Sequence, residues 1–195
     1  MNKNIEHYFF HKENFLDEKY CDDCVNELRE NNWKKHKWYN SKEDLHYNPA
    51  GEDKEPDIIT GDIFSADVKK INAFIVEELH SNILEYISSL DFDWFINWKG
   101  YSAMKFIRYH PGERMVNHCD HISSLFDGKR KGIPILSIIG LLNDDFEGGE
   151  LIMFEDKKID TKKGDLIIFP STFLYPHEIT PVTKNVRYSY ASWVW

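Results

Sequence analysis

The chain has 195 residues, of which 42% are hydrophobic and 15% aromatic, which predicts one globular domain with a sizeable core and excludes a disordered protein. Its formal net charge of −9 argues against a broad phosphate-binding surface, so we expect no nucleic-acid partner. The negative net charge does not exclude a local basic patch, and residues 129–131 form one.

The first ten residues lack a basic region followed by a long apolar run, so we expect no signal peptide. No apolar stretch approaches membrane-spanning length, and we therefore expect no membrane partner. The three cysteines have no disulfide-framework spacing. Together these features predict a reducing, cytoplasmic setting.

The first forty residues predict two short strands and one helix. Ile5 to Phe10 and Trp33 to Tyr39 are strand candidates, because their aromatic side chains favour β structure. A helix is expected over about Glu18 to Glu30, with Asn14 or Asp17 as its N-cap.

Two cysteines on this helix, Cys21 and Cys24, form a CxxC motif. Such a motif can be a zinc half-site or a redox pair. No second CxxC or HxxxH follows to complete a zinc site, so we interpret the two thiols as small apolar side chains of the core.

The segment from Ser41 to Gly61 is polar and predicts a long surface loop, either a cover over a substrate or a plain exposed excursion. Ser65 then predicts the N-cap of a long helix from Ala66 to about Leu90. Apolar residues recur along it with helical periodicity, so one face of this helix needs a sheet to pack on.

The rest of the chain predicts short strands separated by turns. The candidate strands are Phe92 to Trp98, Ala103 to Tyr109, Met115 to His118, Ile133 to Leu142, Leu151 to Phe154, Leu166 to Phe169, Phe173 to Ile179 and Val186 to Trp195. This pattern is typical of a β-sandwich or a jelly-roll barrel. We therefore predict a mainly β fold with flanking helices: a double-stranded β-helix (jelly-roll) core with the N-terminal helices packed on its major sheet.

Three side chains in this second half suit a metal site. His118 and Asp120 are two residues apart, so both project to the same side of an extended segment, and His177 must come from a distant strand. Two imidazoles and one carboxylate leave three coordination positions open, as in non-haem Fe(II) oxygenases. His110 and His121 flank the motif and are competing candidates.

Several further motifs surround these residues. In chain order they are Y-x-P-G at Tyr109 to Gly112, HxD at His118 to Asp120, LND at Leu142 to Asp144, GGEL at Gly148 to Leu151, KKGDLIIFP at Lys162 to Pro170, PHEITPV at Pro176 to Val182 and RYS at Arg187 to Ser189. HxD alone is a weak signal, but the ordered set is a strong one. Through it, roughly Ala103 to Trp195 resembles the Fe(II)/2-oxoglutarate-dependent dioxygenases, and among them the prolyl 4-hydroxylase-like branch.

The resemblance implies cofactors and an organisation. It implies Fe(II), 2-oxoglutarate as co-substrate and O₂, with ascorbate as a reductant, and it makes His118, Asp120 and His177 the catalytic metal ligands. The carboxylate of Asp120 points to hydroxylation, because halogenating relatives lack it. We expect a single dioxygenase domain over residues 1–195, with a supporting part at 1–100 and a jelly-roll catalytic core at 101–195.

The resemblance also implies residues for 2-oxoglutarate. Arg187 is expected to bind its C5 carboxylate, since a guanidinium matches a carboxylate bidentately, and Ser189 faces the same side. Tyr109 and Ser137 match co-substrate contacts of relatives, and Trp193 matches a pocket wall. The alternatives are a salt bridge for Arg187 and plain core positions for Tyr109 and Trp193.

Two positions raise separate questions. Leu141 stands where many relatives carry a tyrosine that contacts the co-substrate, so another hydroxyl has to replace it or the C5 end is held more loosely. Cys119 lies between two proposed ligands, and we expect it to face away from the metal as a buried, inert thiol.

The resemblance supports the cofactors more firmly than the substrate, because fold does not fix function. The first hypothesis is hydroxylation of a peptidyl proline with release of succinate and CO₂. A second is hydroxylation of another residue, a free amino acid or a small metabolite. A third is a non-catalytic module that binds metal or 2-oxoglutarate, and nucleic-acid demethylation is a distant fourth.

Overall fold

The computed structural model describes residues 4–40, 43, 45–90, 100–120 and 134–195. The predicted strand at 92–98, the candidate ligand His121 and the basic run at 129–131 lie outside these ranges. No helix in the described ranges is long and apolar enough to cross a membrane. The assignment of residues 1–195 to a single domain stays a prediction.

Fifteen strands and two α-helices make up the described fold. The helices are α1 (Glu18–Arg29) and α2 (Ala66–Ser89). The strands are β1 (Phe10–Lys12), β2 (Lys34–Lys35), β3 (Trp38–Asn40), β4 (Leu45–Tyr47), β5 (Asp57–Ile59), β6 (Lys105–Tyr109), β7 (Met115–His118), β8 (Leu136–Leu141), β9 (Glu147–Gly148), β10 (Leu151–Met153), β11 (Lys157–Ile159), β12 (Leu166–Pro170), β13 (His177–Ile179), β14 (Val182–Lys184) and β15 (Arg187–Val194).

The strands form two main antiparallel sheets. The larger has seven strands in the order β1-β12-β8-β15-β6-β5-β2, and the smaller has four in the order β11-β10-β13-β7. Two further pairs, β14-β9 and β3-β4, complete the set. The predicted jelly-roll core is confirmed.

Both helices begin at capping residues. The side chain of Asp17 accepts a hydrogen bond from the amide of Tyr20 at 2.8 Å, and that of Ser65 accepts one from the amide of Val68 at 3.2 Å. Each cap satisfies an amide that has no partner within the helix. Ser65 is therefore confirmed as the N-cap of α2, and Asp17 rather than Asn14 is the N-cap of α1.

The large sheet is covered on both faces because its side chains alternate. Phe106 and Tyr190 point to the helix side, where they join a buried cluster with residues such as Leu79 of α2. Ile107 and Phe169 point to the other side and join a second cluster under the small sheet. The predicted packing of the helices on the major sheet is confirmed, and each fully buried apolar side chain contributes about 1.5–3 kcal/mol.

The N-terminal predictions need two corrections. Residues Ile5–Tyr8 form a 3₁₀ turn rather than a strand, and extended structure begins only at β1. The predicted strand from Trp33 to Tyr39 divides into β2 and β3. Bulky aromatic residues favoured strand at both places, but tertiary packing set the backbone instead.

The segment from Ser41 to Gly61 is not a plain surface loop. It contains β4 and also β5, which pairs with both β6 and β2 inside the large sheet. Asp57 faces Arg108 across this pairing, with an Nε–Oδ2 distance of 2.9 Å, and also contacts Lys35 at 3.2 Å. Charged residues that pair with one another are compatible with an interior strand, so polar composition alone was misleading here.

Candidate metal centre and adjoining cavity

The proposed ligands come together at one end of the small sheet. His118 ends β7, His177 begins β13, and these two residues lie directly opposite each other in the antiparallel pairing. Asp120 follows two residues after His118. Its Oδ1 lies 3.4 Å from His118 Nε2, and its Oδ2 lies 4.0 Å from His177 Nε2. Donor atoms of the three side chains lie within 4.8 Å of one another, close enough to bind one metal ion.

Both histidines present the same ring nitrogen to this cluster. Nδ1 of His118 lies 2.8 Å from the carbonyl of Val116, and Nδ1 of His177 lies 3.1 Å from the carbonyl of Tyr175. A carbonyl can only accept, so Nδ1 donates in each ring. Nε2 then carries the lone pair that a metal needs, an orientation typical of ligating histidines.

Asp120 is held by a hydroxyl pair. Ser137 Oγ donates to Asp120 Oδ2 at 2.7 Å and lies 2.8 Å from Ser171 Oγ, so the Ser171 hydroxyl donates in turn to Ser137. The pKa of Asp120 lies well below its usual value despite its burial, because the carboxylate lies against the His118 and His177 rings and accepts the hydrogen bond from Ser137. Burial lowers the pKa of His177 to about 4 against the attraction of Asp120. Both groups therefore have their metal-binding forms at neutral pH.

Replacing Ser137 with alanine is expected to weaken Fe(II) binding about tenfold, because hydrogen-bond partners of metal ligands contribute about 10–100-fold to metal affinity. Calorimetric titration under anaerobic conditions measures this change. Ser192→Ala is the matched control, because Ser192 is equally buried but bonds to Ser102 on the far side of the sheet. Equal iron affinities for Ser137→Ala and the wild type would refute this role.

A cavity of about 260 Å³ opens beside the cluster. Its walls include the three proposed ligands and four of the five proposed co-substrate residues. Those four are Tyr109, Arg187, Ser189 and Trp193. Ser137 is not part of the cavity wall, and its hydroxyl is engaged with Asp120, so its proposed contact with the co-substrate remains a prediction without a geometric counterpart.

Arg187 is the charged group at one end of this cavity. Its side chain is 2% exposed, and Nη1 donates to Ser189 Oγ at 2.8 Å. Nε has no hydrogen-bond partner, and among the described residues no carboxylate lies within ion-pair distance of the guanidinium. The alternative of a salt bridge is therefore not seen there. A buried cation without an anion is costly, so this environment fits the carboxylate of a ligand.

The GGEL turn makes room for Arg187. Gly148 and Gly149 both have positive φ, at 72° and 65°. A Cβ on Gly149 would lie 2.9 Å from Cδ of Arg187 and 2.9 Å from Cγ2 of Val182. The second glycine is therefore required by the close approach of the arginine as well as by the backbone.

Tyr109 lies under the arginine. Its ring centroid is 5.2 Å from the guanidinium carbon of Arg187, and burial raises the pKa of its phenol to about 12. The phenol therefore stays protonated and can donate a hydrogen bond into the cavity. Leu141 pairs with Ser189 and, together with Arg187, borders a second space of about 10 Å³, roughly the room one water needs.

Two motifs of the resemblance have structural roles. Asn143 of LND accepts a hydrogen bond from the amide of Tyr188 at 2.6 Å, which fixes the start of β15 next to Arg187. Asp165 of KKGDLIIFP accepts from the amides of Asn14 and Lys162 at 3.1 and 2.9 Å. The side chains of Asn143 and Asp165 therefore bind backbone amides and fix loops in place.

Sequence reasoning missed several residues of the cavity wall, among them His36, Trp38 and Lys105. The Trp38 ring lies edge-on to His118 at 4.9 Å between centroids. Lys105 Nζ lies 4.6 Å from the ring centroid of Trp193. Strand alternation could have identified Lys105, because it places this residue on the same side of β6 as Tyr109. Nothing in the sequence connected His36 and Trp38 to the metal site.

The cysteines divide into two kinds. Cys21 and Cys24 are buried on α1, and burial raises the pKa of each thiol to about 12, so their interpretation as core side chains is confirmed. Cys119 is partly exposed and lines the cavity, which corrects the expectation of a buried thiol facing away.

His110, which was a competing candidate for a metal ligand, is not part of the cluster. Its Nε2 lies 3.6 Å from Oδ2 of Asp57 instead.

Acid is expected to destabilise the metal-free protein through His36. Burial, assisted by the charges of Lys105 and His118, lowers its pKa to about 3. Glu55 Oε2 lies 3.5 Å from His36 Nδ1 without a hydrogen bond between them, and the carboxylate accepts from Trp38 Nε1 and the Ala50 amide instead. Between pH of about 6.5 and 3 the unfolded chain thus binds a proton that the folded chain excludes, so stability falls as pH falls.

The expected loss from His36 is about 2 kcal/mol between pH 7 and pH 5. Urea unfolding at a series of pH values measures it, and His36→Phe should lessen the fall in that window by about this amount, while buried His177 contributes a similar fall in both proteins. His7→Gln, at an exposed histidine, is the control. Parallel profiles for His36→Phe and the wild type would show that His36 does not supply the pH dependence.

The fold and the site together define a class. The protein has a jelly-roll core with two histidines and one carboxylate clustered at a cavity, the donor set of non-haem iron oxygenases. Residues 104–195, just under half of the chain, match the family model of the 2OG-Fe(II) oxygenase superfamily.

Curated relatives match just under half of the chain. A PKHD-type hydroxylase of Paraburkholderia xenovorans is 32% identical over 94 residues, which cover 46% of this chain and 40% of the relative. Another PKHD-type hydroxylase, of Aliarcobacter butzleri, is 35% identical over 96 residues, which cover 46% and 41%. The match therefore spans about two fifths of the length of these relatives.

Solved structures match nearly the whole chain at low identity. A prolyl-4-hydroxylase of Pseudomonas putida has a TM-score of 0.64 and 19% identity, covering 96% of this chain and 92% of that one. A prolyl hydroxylase of Trichoplax adhaerens, solved with a hypoxia inducible factor peptide fragment, has a TM-score of 0.67 and 19% identity, covering 97% and 84%. These likenesses show the fold.

Proposed function

We propose that the protein is an Fe(II)- and 2-oxoglutarate-dependent dioxygenase that hydroxylates a peptidyl proline. One observation carries the cofactor part of this proposal: the two-histidine, one-carboxylate cluster and a buried arginine without an anionic partner share one cavity. The first feature suits the metal, and the second suits the dicarboxylic acid that would chelate it.

Iron and 2-oxoglutarate, when bound, supply the oxidative decarboxylation that consumes O₂, releases succinate and CO₂ and inserts one oxygen atom into a substrate C–H bond. His118, Asp120 and His177 would hold the metal from one side and leave the other side open. Both imidazoles are fixed through Nδ1 before the metal arrives, which reduces the reorganisation that binding needs.

Arg187 and Ser189 would bind the far carboxylate of 2-oxoglutarate. The arginine supplies a charge that is always present, and Ser189 already accepts one guanidinium N–H, so its own hydroxyl proton is free to donate. The protonated phenol of Tyr109 would donate from below. Apolar walls at Ile107, Met115 and Ile139, together with Trp193, limit the water that reaches the metal side.

The prolyl part of the proposal is supported by similarity alone. The Pseudomonas putida and Trichoplax adhaerens proteins of the same fold are prolyl hydroxylases by name, and the second was solved with a peptide. The curated relatives are called PKHD-type hydroxylases. A peptide or protein substrate, a cytoplasmic location and ascorbate as a reductant belong to the proposal on the same grounds.

Anaerobic titration with Fe(II) and then 2-oxoglutarate tests the cofactor part. We expect a visible charge-transfer band that saturates at about one equivalent of each and disappears in His177→Ala, which removes a ligand. A folded protein that gives no band would contradict the proposal and favour a non-catalytic binding module. Succinate release on addition of O₂ would exclude that module.

A library of proline-containing peptides with mass detection tests the substrate part. A product of +16 mass units on a proline peptide is the expected result, since hydroxylation adds one oxygen atom. If succinate forms without any such product, the prolyl assignment is wrong, and the substrate is another residue, a free amino acid or a small metabolite.

A further inference from the structure

The cavity has a second cation at the end opposite Arg187. In the pairing of β6 with β15, Arg187 lies opposite Tyr109, whereas Lys105 lies opposite Ala191. Four residues of extended strand, about 13 Å, separate the two positions. The proposed reaction uses Arg187 for 2-oxoglutarate and leaves Lys105 without a role.

The surroundings of Lys105 place its ammonium on the metal side of the cavity. Nζ lies 4.6 Å from the ring centroid of Trp193, a cation–π contact that orients it. Burial lowers the pKa of Lys105 and the nearby Asp120 opposes this shift, and Asp120 and His36 line the same space as the lysine. Among the described residues no carboxylate lies within ion-pair distance of Nζ. The ammonium is thus half-buried, lines the cavity and has no carboxylate within ion-pair distance among the described residues.

The charge of the cavity wall contrasts with that of the chain. The described wall contains three cations, Lys37, Lys105 and Arg187, and one carboxylate, Asp120, although the chain as a whole carries −9. A divalent iron and a dianionic 2-oxoglutarate would cancel each other and leave this positive excess unchanged. An anionic group on the substrate would offset it in a place of low dielectric, where the interaction is strong.

We infer that Lys105 is a specificity-determining residue that binds a carboxylate of the substrate next to the carbon that is oxidised. This inference rests on the proposed function, because it takes the substrate to enter on the open side of the metal. The carboxylate can belong to an acidic side chain of a peptide, to a C-terminal proline or to a free amino acid. Lysine suits this task as a compact point charge that binds one oxygen at a time.

Three matched probe pairs separate these sources. N-acetylproline against N-acetylprolinamide represents the C-terminal proline, N-acetylglutamate amide against N-acetylglutamine amide represents the acidic side chain, and proline against prolinamide represents the free amino acid. Each is titrated anaerobically into protein loaded with Fe(II) and 2-oxoglutarate, and binding is followed by calorimetry and by the shift of the charge-transfer band. Neither readout depends on turnover.

At least one acid is expected to bind the wild type about tenfold more tightly than its amide, since a charge-assisted hydrogen bond has roughly that value. Lys105→Met should abolish this preference, and Lys105→Arg, which keeps the charge, should retain most of it. The 2-oxoglutarate requirement should stay within about twofold in both variants. Lys69→Met, at an exposed position of α2, is the control, and thermal unfolding checks that the variants are folded.

Three outcomes would overturn the inference. They are acid preference that persists in Lys105→Met, equal or undetectable binding of acid and amide in all three pairs, and a raised 2-oxoglutarate requirement in Lys105→Met, which would make the lysine a co-substrate anchor. The proposed function fails separately. If the protein prefers the acid but gives no +16 product on any proline peptide, the prolyl assignment is wrong and the inference about Lys105 stands. If it hydroxylates proline but shows no preference for the acid, the prolyl assignment stands and the inference about Lys105 is wrong.

Discussion

Replacing Asp120 with alanine is expected to abolish succinate release and to weaken Fe(II) binding by about 100-fold or more. Asp120 is the only anionic member of the cluster, and even outer partners of metal ligands contribute about 10–100-fold. The two imidazoles alone would leave the metal with four open positions and no charge to balance it. Anaerobic calorimetry with Fe(II), followed by succinate detection in the presence of 2-oxoglutarate and O₂, measures both effects.

Two controls sharpen this test. Asp144→Ala removes an exposed carboxylate of the acidic turn and should leave iron affinity unchanged. Asp120→Asn keeps the shape and the contact with Ser137 but removes the charge, so its iron affinity should fall between those of the wild type and Asp120→Ala. Wild-type iron affinity in Asp120→Ala would mean that other residues hold the metal, and the proposed cluster would be wrong.

Strand alternation is the part of the sequence that predicted the fold and site best. In β15 the even-numbered Tyr188 and Tyr190 face the helices, while Arg187 and Ser189 face the cavity. Successive side chains of a strand alternate between the two faces of the sheet, so this arrangement can be predicted from the sequence alone. The meeting of His118 with His177 also followed, because an HxD strand end and a later strand needed only to become neighbours in one sheet.

The N-terminal contribution to the site could not be predicted in this way. Trp38 touches His118 because β3 is held beside the metal end by a hydrogen bond from its indole to the buried Glu55. That contact depends on the path of a polar segment, whose composition resembles a loop. Lys105 was overlooked for a different reason: a lysine in an alternating strand is usually a solvated residue, and only the covering sheet makes this one face a cavity.

The structure also gives Ser137 a place different from the one the resemblance implies. Its hydroxyl lies between Asp120 and Ser171, away from the cavity wall. The serine hydroxyl at this position orients the metal-binding carboxylate of Asp120. Of the proposed co-substrate residues with hydroxyl groups, this leaves Ser189 and Tyr109 beside Arg187, and Leu141 supplies no hydroxyl.

Replacing Arg187 with alanine is expected to raise the 2-oxoglutarate concentration needed for half-maximal turnover by about 100-fold, since removal of one partner of a buried charge pair costs about 2–5 kcal/mol. Fe(II) affinity without 2-oxoglutarate should stay near the wild-type value, because the guanidinium does not contact the ligands. Arg108→Ala is the matched control: Arg108 lies on the adjacent strand but faces Asp57 on the other side. An unchanged 2-oxoglutarate requirement in Arg187→Ala would refute the anchor assignment.

A stability measurement distinguishes an anchor from a structural arginine. In the absence of ligand the guanidinium is buried, its Nε lacks a partner, and burial lowers its pKa, so folding pays for removing this charge from water. Arg187→Met, which keeps most of the volume, should therefore leave the melting temperature of the ligand-free protein unchanged or raise it. The same variant should lose the rise in melting temperature that 2-oxoglutarate gives to the wild type. An arginine that mainly supports the fold would give the opposite pair of results: a lower melting temperature without ligand and an undiminished response to 2-oxoglutarate.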